Sequence, residues 1–554
     1  MQRAAISNHI IPALLFLDGA FSIVFAFSAH ALGIDPTPDM GLSRIAMFYF
    51  GVLIVFIAGF IFKADIASRM GEKTIIAFLL LHVWAVIIII YVFFITFGNF
   101  TTWKASTRYY TLLADAFSKG QLHVDVEPGA ALLAADDPYS SEGRPGFEDE
   151  VWDLSLYKEK LYLYWGPVPA LLITPIAPYI QQPIADIYLV FFFFCGLLIL
   201  NTFFILKLWR LFFADVPVRH VVLSIFLIGL ILPILWSLNI PDIYEAAIGA
   251  GQFFLVGGIL FAILAFEKNI QKRFLFLAGF FWACSVGSRA INVFSVIFLT
   301  ALTLFWIWRH HPKRTDLGQM AQLAAALLVP LVVGATLIGW YNWARFDSPF
   351  EFGLRYQITI YNLNRYMPLT FQPDYLPFNI VAYLLLPFEF IPNFPFIQPI
   401  GFSSLLNSLN IAAPKLYAAG NVTGILFYAP FLFLAFLPFF KRNRAAQENN
   451  QLQSFTFFLL GGSFLINAVT ILFYFYGQMR FMGDLVSQVT LLAILGYWLV
   501  VRNSSSSKLY LRAANVLIVF TLIVSILLAF TSESSRMERL NPDLMEKLNS
   551  LFIF

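Results

Sequence analysis

The chain alternates between long apolar runs and short polar connections. A transmembrane helix needs about 20 consecutive, mostly apolar residues. The seventh such run is short and the eighth follows it closely, so we expect this pair to be bent or re-entrant. The pattern predicts an all-α polytopic membrane protein with about 13 transmembrane helices, at 10–33, 44–62, 75–97, 184–206, 220–238, 247–266, 274–288, 290–308, 320–340, 422–440, 453–476, 485–501 and 513–531.

Lysine and arginine are distributed unevenly between the two sets of loops. Alternate loops contain three basic residues each, whereas the intervening turn 239–246 contains none. Cytoplasmic loops carry an excess of Lys and Arg, so we predict a cytoplasmic N-terminus. The basic residues that define the cytoplasmic side are Lys63, Arg69, Lys73, Lys207, Arg210, Arg219, Lys268, Lys272, Arg273, Arg309, Lys313, Arg314, Lys441, Arg442, Arg444, Arg502, Lys508 and Arg512.

Two long segments, at about 98–183 and 341–421, then fall on the outer side. Each contains an apolar stretch, 161–180 or 377–400, that prolines interrupt. We therefore predict interfacial or re-entrant helices there and not further spans. Residues 107–122 carry apolar side chains at a spacing of three to four, which predicts an amphipathic helix lying on the membrane surface.

Composition narrows the class of protein. Hydrophobic residues make up 60% of the 554 residues and charged residues 12%, whereas soluble domains carry about 25% charged residues. The net charge is +3, and no basic stripe indicates a nucleic-acid partner. Cys195 and Cys284 lie in apolar runs, which argues against a disulfide framework. We expect one transmembrane domain, 1–531, followed by a tail, 532–554, on the outer side.

The placement of charges separates transport from interfacial catalysis. Ion-coupled transporters usually hold acids or bases in the middle of broken helices, but here Asp18 is the main mid-span case, with His82 as a candidate partner. The other charges concentrate at outer helix ends and in the outer loops. This placement favours a substrate whose headgroup lies at the membrane interface. No glycine pattern follows a strand as in nucleotide-binding loops.

Arginines at the outer helix ends are candidates for binding a phosphate group. Arg289 lies in a nearly uncharged stretch, and its structural alternative is a snorkelling arginine or one paired with Glu245. Arg480 and Asp484 bracket a turn and are expected either to pair with each other or to contact substrate.

Further candidates lie in the two outer loops. Arg345 and Arg355 lie near Asp347 and Glu351, and this group suits either a salt-bridge cluster or a binding site. Lys160 and Tyr164 suit contact with a headgroup, with interfacial anchoring as the alternative.

Several segments of the chain also resemble a known enzyme group. The segments are YYTLLADAFSKGQL (109–122), DDPYSS (136–141), DLSLYKEKLYLYWGPVPALL (153–172), VGSRAINV (286–293), NWARFDSPFEFGLRYQIT (342–359) and RFMGDLVSQVTLLA (480–493). They are similar to the C-type (GT-C) membrane glycosyltransferases, and more closely to a poorly characterised bacterial branch of them. The resemblance implies an enzyme of the bacterial inner membrane with a periplasmic active site. It would transfer a sugar from a polyprenyl-phosphate donor to a lipid or glycan acceptor.

The chain departs from this group where many members have an acid before the aromatic pair of the outer-loop helix. Ser106, Thr107 and Arg108 occupy that place. The resemblance therefore leaves three substitutes for the catalytic base, each with a structural alternative. Asp115 also suits a solvated helix face, Asp137 a turn before proline, and Asp153 a helix cap.

Two other functions and one cofactor question stay open at this stage. The architecture also suits a transporter or flippase for a lipid-linked glycan, or a ligase or polymerase that joins whole glycans. A transporter would have two related halves, and a transferase a single outward site. No metal is required by the sequence, although a divalent ion held by acids of the first outer loop is compatible with it.

Overall fold

The computed structural model describes residues 2–32, 34–35, 37–64, 71–104, 107–142, 152–180, 183–310, 316–440, 447–503, 508–532 and 536–552. Predicted cytoplasmic residues such as Arg69, Lys313 and Arg442 lie outside these ranges. The helices in the described ranges are α1 (Gln2–Ser28), α2 (Leu42–Lys63), α3 (Glu72–Ile95), α4 (Tyr109–Ser118), α5 (Ala130–Leu133), α6 (Val168–Ile173), α7 (Asp186–Phe212), α8 (Val218–Leu230), α9 (Leu232–Asn239), α10 (Ile243–Ala265), α11 (Lys272–Ser288), α12 (Val293–His310), α13 (Leu317–Phe346), α14 (Leu363–Tyr366), α15 (Leu376–Ile380), α16 (Phe402–Ser408), α17 (Ile425–Tyr428), α18 (Leu437–Phe440), α19 (Gln447–Leu472), α20 (Val486–Arg502), α21 (Lys508–Phe530), α22 (Arg536–Leu540) and α23 (Pro542–Ser550).

Short antiparallel and parallel pairs of strands accompany the helices. Strands β1 and β2 form a hairpin, β4 pairs with β3 and with β6, and β5 runs parallel to β7. The strands are β1 (Ser155–Tyr157), β2 (Lys160–Tyr162), β3 (Phe388–Phe390), β4 (Ile397–Gly401), β5 (Ala418–Ala419), β6 (Asn421–Val422) and β7 (Tyr476–Gly477).

The all-α polytopic class is confirmed, but the count of thirteen spans is not. Among the described residues, nine helices are long and apolar enough to cross a membrane, or ten if α8 and α9 form one bent span. The nine are α1, α2, α3, α7, α10, α12, α13, α19 and α21. The bend of 41° between α8 and α9 has a local cause, because Pro233 in the first turn of α9 lacks the N–H that a continuous helix requires.

Three predicted spans correspond to shorter helical segments. Helices α11 and α20 have 17 residues each. The predicted span 422–440 is divided into α17, a 3₁₀ helix at Pro430–Phe436 and α18. Proline again explains the break, because Pro430 opens the 3₁₀ turn and Pro438 follows it.

The described chain divides into two compact units. The first consists of Met1–Trp103, Ile391–Phe396 and Ser534–Phe554, and the second of Lys104–Phe390 and Ile397–Glu533. The predicted boundary at 531/532 lies close to the point where the chain leaves the second unit. The single transmembrane domain stays a prediction.

In the first unit, Asp18 contacts His82, the candidate partner. The Nε2 atom of His82 lies 2.6 Å from a carboxylate oxygen of Asp18. Within the same unit the tail packs against the end of α3, because Asn541 donates to the carbonyl oxygen of Phe97 at 2.8 Å. Asn549 accepts a hydrogen bond from the backbone N–H of Phe394 at 3.1 Å. The tail, the end of α3 and segment 391–396 therefore pack together.

Neither proline-rich apolar stretch forms a spanning helix in the described residues. Stretch 161–180 contains β2, α6 and a 3₁₀ turn at Ala177–Tyr179. Stretch 377–400 contains α15, a π-helical turn at Val381–Leu385, and strands β3 and β4. The prediction that these stretches are not ordinary spans is confirmed, and the prolines explain why no long helix forms.

The predicted amphipathic helix is α4, and its surroundings differ from the prediction. Tyr110, Leu113 and Ala114 are fully buried within the protein, and Phe117 is half-buried. This face therefore packs against protein, and the position of α4 at the membrane surface stays a prediction. The helix ends as predicted before Gly120, whose φ of +72° suits the left-handed position that closes a helix. Periodicity identifies a buried face but does not say whether lipid or protein covers it.

Candidate active site

Asp153 lies in the second unit, at a point where the two outer loops meet. Its backbone N–H donates to the carbonyl oxygen of Ile358 at 2.9 Å, and the N–H of Ile358 returns a bond to Leu154 at 2.8 Å. The β1–β2 hairpin begins two residues later. The side chain of Asp153 is buried, with 3% of its surface exposed. The second outer loop thus fixes the backbone on which this acid is mounted.

In addition to a hydrogen bond from the Trp152 side chain, donors from two distant segments hold the Asp153 carboxylate. The amide Nε2 of Gln357 donates to Oδ1 at 2.7 Å, and the hydroxyl of Tyr244, in the first turn of α10, donates to Oδ2. Burial raises the pKa of Asp153 to about 6, while these hydrogen bonds and the nearby Arg480 guanidinium act in the opposite direction. A carboxylate with a pKa near the working pH is suited to accept a proton during a reaction.

Two ion pairs with largely buried side chains lie at helix ends in this region. Arg289 donates through Nε and Nη2 to the Asp484 carboxylate, at 3.0 and 2.7 Å. Arg480 lies 3.6 Å from Glu245. The backbone carbonyl of Asp484 also accepts bonds from Gln252 and Asn467, each at 2.6 Å. The first pair is therefore a closely bonded structural contact, and the second is looser.

These partners differ from the sequence prediction. A pairing of Arg289 with Glu245 was one structural alternative, and a pairing of Arg480 with Asp484 was another. The structure instead pairs Arg289 with Asp484 and Arg480 with Glu245. Residues Met479–Asp484 form a 3₁₀ helix, which has three residues per turn. Positions four apart then point about a third of a turn away from each other, so Arg480 and Asp484 reach different neighbours.

Aromatic rings connect the acid to the cations. The guanidinium of Arg480 lies 4.0 Å from the centre of the Tyr244 ring, whose hydroxyl bonds to Asp153. Trp165 meets the same ring edge-to-face at 5.1 Å and packs on Tyr164 at 4.0 Å. Burial, followed by the charge of Asp153, raises the pKa of Tyr164. Tyr244 thus contacts both the acid and the cation, and Tyr164 lies next to them.

Arg345 is a structural anchor of the first outer loop. Its side chain is buried, stacks 3.7 Å from the centre of the Tyr341 ring, and donates to the carbonyl oxygen of Leu163 at 2.5 Å. It also donates to the side chain of Asn342 at 2.8 Å. Arg345 therefore holds the segment that contains Tyr164 against the end of α13.

The predicted salt-bridge cluster around Arg345 forms only in part. Arg355 pairs with Glu351 at 3.3 Å. Asp347 instead bonds to Lys158 at 2.5 Å and to the hydroxyl of Tyr157 at 2.7 Å. These contacts join the tip of the β1–β2 hairpin to the second outer loop and lie on exposed side chains.

Three other predicted residues are exposed. Asp115 lies on the solvated face of α4, and Lys160 opens β2. Asp137 accepts bonds from the N–H of Tyr139 at 3.1 Å and from Asn362 at 2.7 Å, and so shapes a turn. Within the described ranges, no hydrogen bond or ion pair joins Asp115, Asp137 or Lys160 to Asp153 or to the arginines. The structure brings together Asp153, Tyr164, Glu245, Arg289, Arg480 and Asp484.

Sequence reasoning missed three residues of this region. Tyr244 and Gln357 hold Asp153, and Asp186 binds the start of α4. The Asp186 carboxylate accepts the N–H groups of Tyr109 at 2.9 Å and Tyr110 at 3.1 Å, where a helix favours negative charge. The only available signal for Asp186 was an acid at the outer end of a predicted span. Nothing in the sequence indicated the other two contacts, which join segments far apart in the chain.

The described residues contain no preformed metal centre. Among them, no group of three or more His, Cys, Asp and Glu side chains is arranged to hold an ion. The acids near the arginines are instead occupied by Arg289, Arg480, Tyr244 and Gln357.

The first outer loop makes a close backbone contact beside Arg289. A Cβ atom at Gly166 would lie 2.1 Å from the carbonyl oxygen of Gly287. We expect Gly166→Ala to destabilise the protein by about 1–3 kcal/mol, the usual effect of overpacking, measured as a lower melting temperature in detergent. Gly339→Ala is the matched control, because its nearest neighbour would be 3.6 Å away. Equal melting temperatures for both variants would show that this contact is not tight.

Comparisons with known proteins give a distant structural likeness only. The chain is similar to three solved structures of the Archaeoglobus fulgidus oligosaccharyltransferase. The apo form is 15% identical with a TM-score of 0.43, covering 85% of this chain and 56% of that one. The form tethered to an acceptor peptide is 12% identical with a TM-score of 0.47, covering 81% and 54%. The complex of AglB with an inhibitory peptide and a dolichol-phosphate is 15% identical with a TM-score of 0.40, covering 84% and 56%.

This chain therefore spans little more than half the length of the structures it matches. No protein-family model matches the chain, and no curated protein matches it. At TM-scores below 0.5, the likeness carries no argument about activity.

Proposed function

We propose that this protein is a membrane glycosyltransferase of the GT-C type. It transfers a sugar from a polyprenyl-phosphate donor to a lipid or glycan acceptor at the periplasmic face of the bacterial inner membrane. One observation carries the proposal. A buried acid from the first outer loop, held by the second outer loop, lies near Arg480, and Asp153, Arg480 and Arg289 all act on Tyr164.

In the proposed reaction, Asp153 acts as the general base. Asp153 accepts the proton of the acceptor hydroxyl while the hydroxyl oxygen forms a bond to the sugar carbon. The bond between that carbon and the donor phosphate breaks, and the phosphate leaves with the electron pair. A single displacement inverts the sugar carbon. The apolar tail of the donor stays in the lipid, so a nucleotide-binding fold is not needed.

The leaving phosphate needs a cation, because negative charge builds on it in the transition state. Arg480 suits this task better than Arg289. Its pair with Glu245 is longer, at 3.6 Å against 2.7 Å, and its guanidinium covers the tyrosine that bonds to Asp153. Arg289 instead ties the end of α11 to the turn that carries Arg480.

The test uses purified protein in liposomes with a polyprenyl-phosphate-linked sugar and a cell-envelope lipid extract. We expect sugar transfer with release of polyprenyl phosphate, and Arg480→Gln is expected to lower kcat by roughly 10²–10³-fold. Arg355→Gln removes an exposed arginine and serves as the control. Failure of every polyprenyl-phosphate sugar donor to react would refute the proposed donor class.

A second measurement tests the side of the membrane. Single cysteines at positions 136 and 351 are labelled in sealed vesicles with a reagent that does not cross membranes. We expect both to react only from the side opposite the basic loops. Labelling of either position from the cytoplasmic side alone would contradict a periplasmic site.

A further inference from the structure

Gln357 is a buried amide of the second outer loop whose side chain points at Asp153. It has 5% of its surface exposed, and its Nε2 atom lies 2.7 Å from Oδ1 of the acid. A carboxylate accepts hydrogen bonds and cannot donate them, so the amide must present its NH₂ group here. This contact joins residues 204 positions apart in the chain.

We propose that Gln357 is a positioning residue for sugar transfer, which holds the Asp153 carboxylate in its ionised form and in one orientation. The inference rests on the proposed role of Asp153 as the base. Gln357 contacts the acid and acts on the reaction only through it. Its amide carries no charge, so it stabilises the ionised acid without adding a cation that would compete for the donor phosphate.

The backbone around Gln357 explains how the amide is kept in place. The backbones of Ser155 and Gln357 form an isolated antiparallel β-bridge between the two loops. The hydroxyl of Ser155 also donates to the carbonyl oxygen of Gly353 at 2.8 Å. Gly353 has a φ of +94°, and a Cβ there would lie 2.6 Å from the Phe346 ring. A side chain on a backbone fixed at both ends loses little freedom when it forms its hydrogen bond.

Other charged and titratable groups around Asp153 also influence its ionisation. Arg480, from the turn after β7, and the hydroxyl of Tyr244, from α10, both favour the ionised acid. The charge of Asp153 also acts on the hydroxyls of Tyr164 and Tyr474. Gln357 is the contribution of the second outer loop, so removing it leaves Arg480 and Tyr244 in place.

Two substitutions test this role through the pH profile of transfer. Gln357→Leu removes a hydrogen bond to a charged group. We expect the acid limb of the kcat profile, the low-pH side where Asp153 becomes protonated, to move up by about one pH unit. Gln357→Glu places a second carboxylate against the first, and two acids that share a site raise one pKa strongly. We expect a larger upward shift for this variant.

The control is Gln372→Leu, in the same outer loop. Gln372 is half-buried and donates to the backbone carbonyl of Pro368, away from Asp153, so its loss should leave the acid limb unchanged. A residue with a purely structural role would lower the folded fraction without moving the acid limb. An unmoved limb in Gln357→Leu and Gln357→Glu would overturn the proposal.

A second readout separates this proposal from the proposed function. The melting temperature is measured against pH for the wild type and for Asp153→Asn, each with and without Gln357→Leu. Because folding raises the pKa of Asp153, its contribution to stability falls as pH rises from about 4 to 6. With Gln357→Leu, this fall should extend above pH 6.

If the melting temperature of Gln357→Leu keeps falling above pH 6 but no sugar is transferred, the contact with Asp153 is supported and the proposed transferase activity is refuted. If sugar is transferred but the pH dependence of the melting temperature is the same with and without Gln357→Leu, the role of Gln357 is refuted and the proposed transferase activity is retained.

Discussion

Asp153→Asn is expected to lower the kcat of sugar transfer by roughly 10³-fold, within the range for removal of a general base. Asparagine keeps the size of the side chain but cannot take up the acceptor proton. The Tyr244 hydroxyl can still donate to its oxygen, so the fold should persist. The measurement is single-turnover transfer in liposomes, with the melting temperature as the test of folding.

Asp137→Asn is the matched control, because Asp137 is an exposed acid of the same outer loop that only shapes a turn. The wild-type pH profile gives an independent check. Asp153 must be ionised to act, and its pKa is raised to about 6. Activity should therefore increase with pH through about 6 and fall tenfold per unit below it. Full activity of a folded Asp153→Asn variant would remove Asp153 as the base.

Asp484→Ala is expected to destabilise the protein by about 3–5 kcal/mol, because it leaves the Arg289 guanidinium buried without its anion. The Asp484 side chain is 1% exposed and that of Arg289 14%, so water replaces the lost partner only in part. The variant should melt at a much lower temperature in detergent. Activity should fall with it, since the same turn carries Arg480.

Two further variants give this prediction its controls. Asp347→Ala breaks the exposed pair with Lys158, and we expect no change in melting temperature. The double variant Arg289→Leu and Asp484→Leu removes both charges, so it should be more stable than Asp484→Ala alone. A melting temperature for Asp484→Ala equal to that of the wild type would show that the pair does not stabilise the fold.

The candidate site was only partly predictable. Arg289, Arg480, Glu245 and Asp484 could be named because charges are rare in so apolar a chain and these stand at helix ends. Their pairing could not be predicted, since it depends on the 3₁₀ geometry of Met479–Asp484. The choice among the three acids also had no basis in the sequence. Burial and the contacts with Tyr244, Gln357 and Arg480 separate Asp153 from the exposed Asp115 and Asp137.

The sequence by itself determined the helical, polytopic class and the places where proline prevents a long helix. Both follow from local chemistry, because an apolar run in lipid must satisfy its backbone internally. It also determined the helical character of α4. Only the tertiary structure decided that protein and not lipid covers α4, and that Gln357 and Tyr244 hold Asp153. Such contacts join distant segments, and a local pattern carries no information about which segments meet.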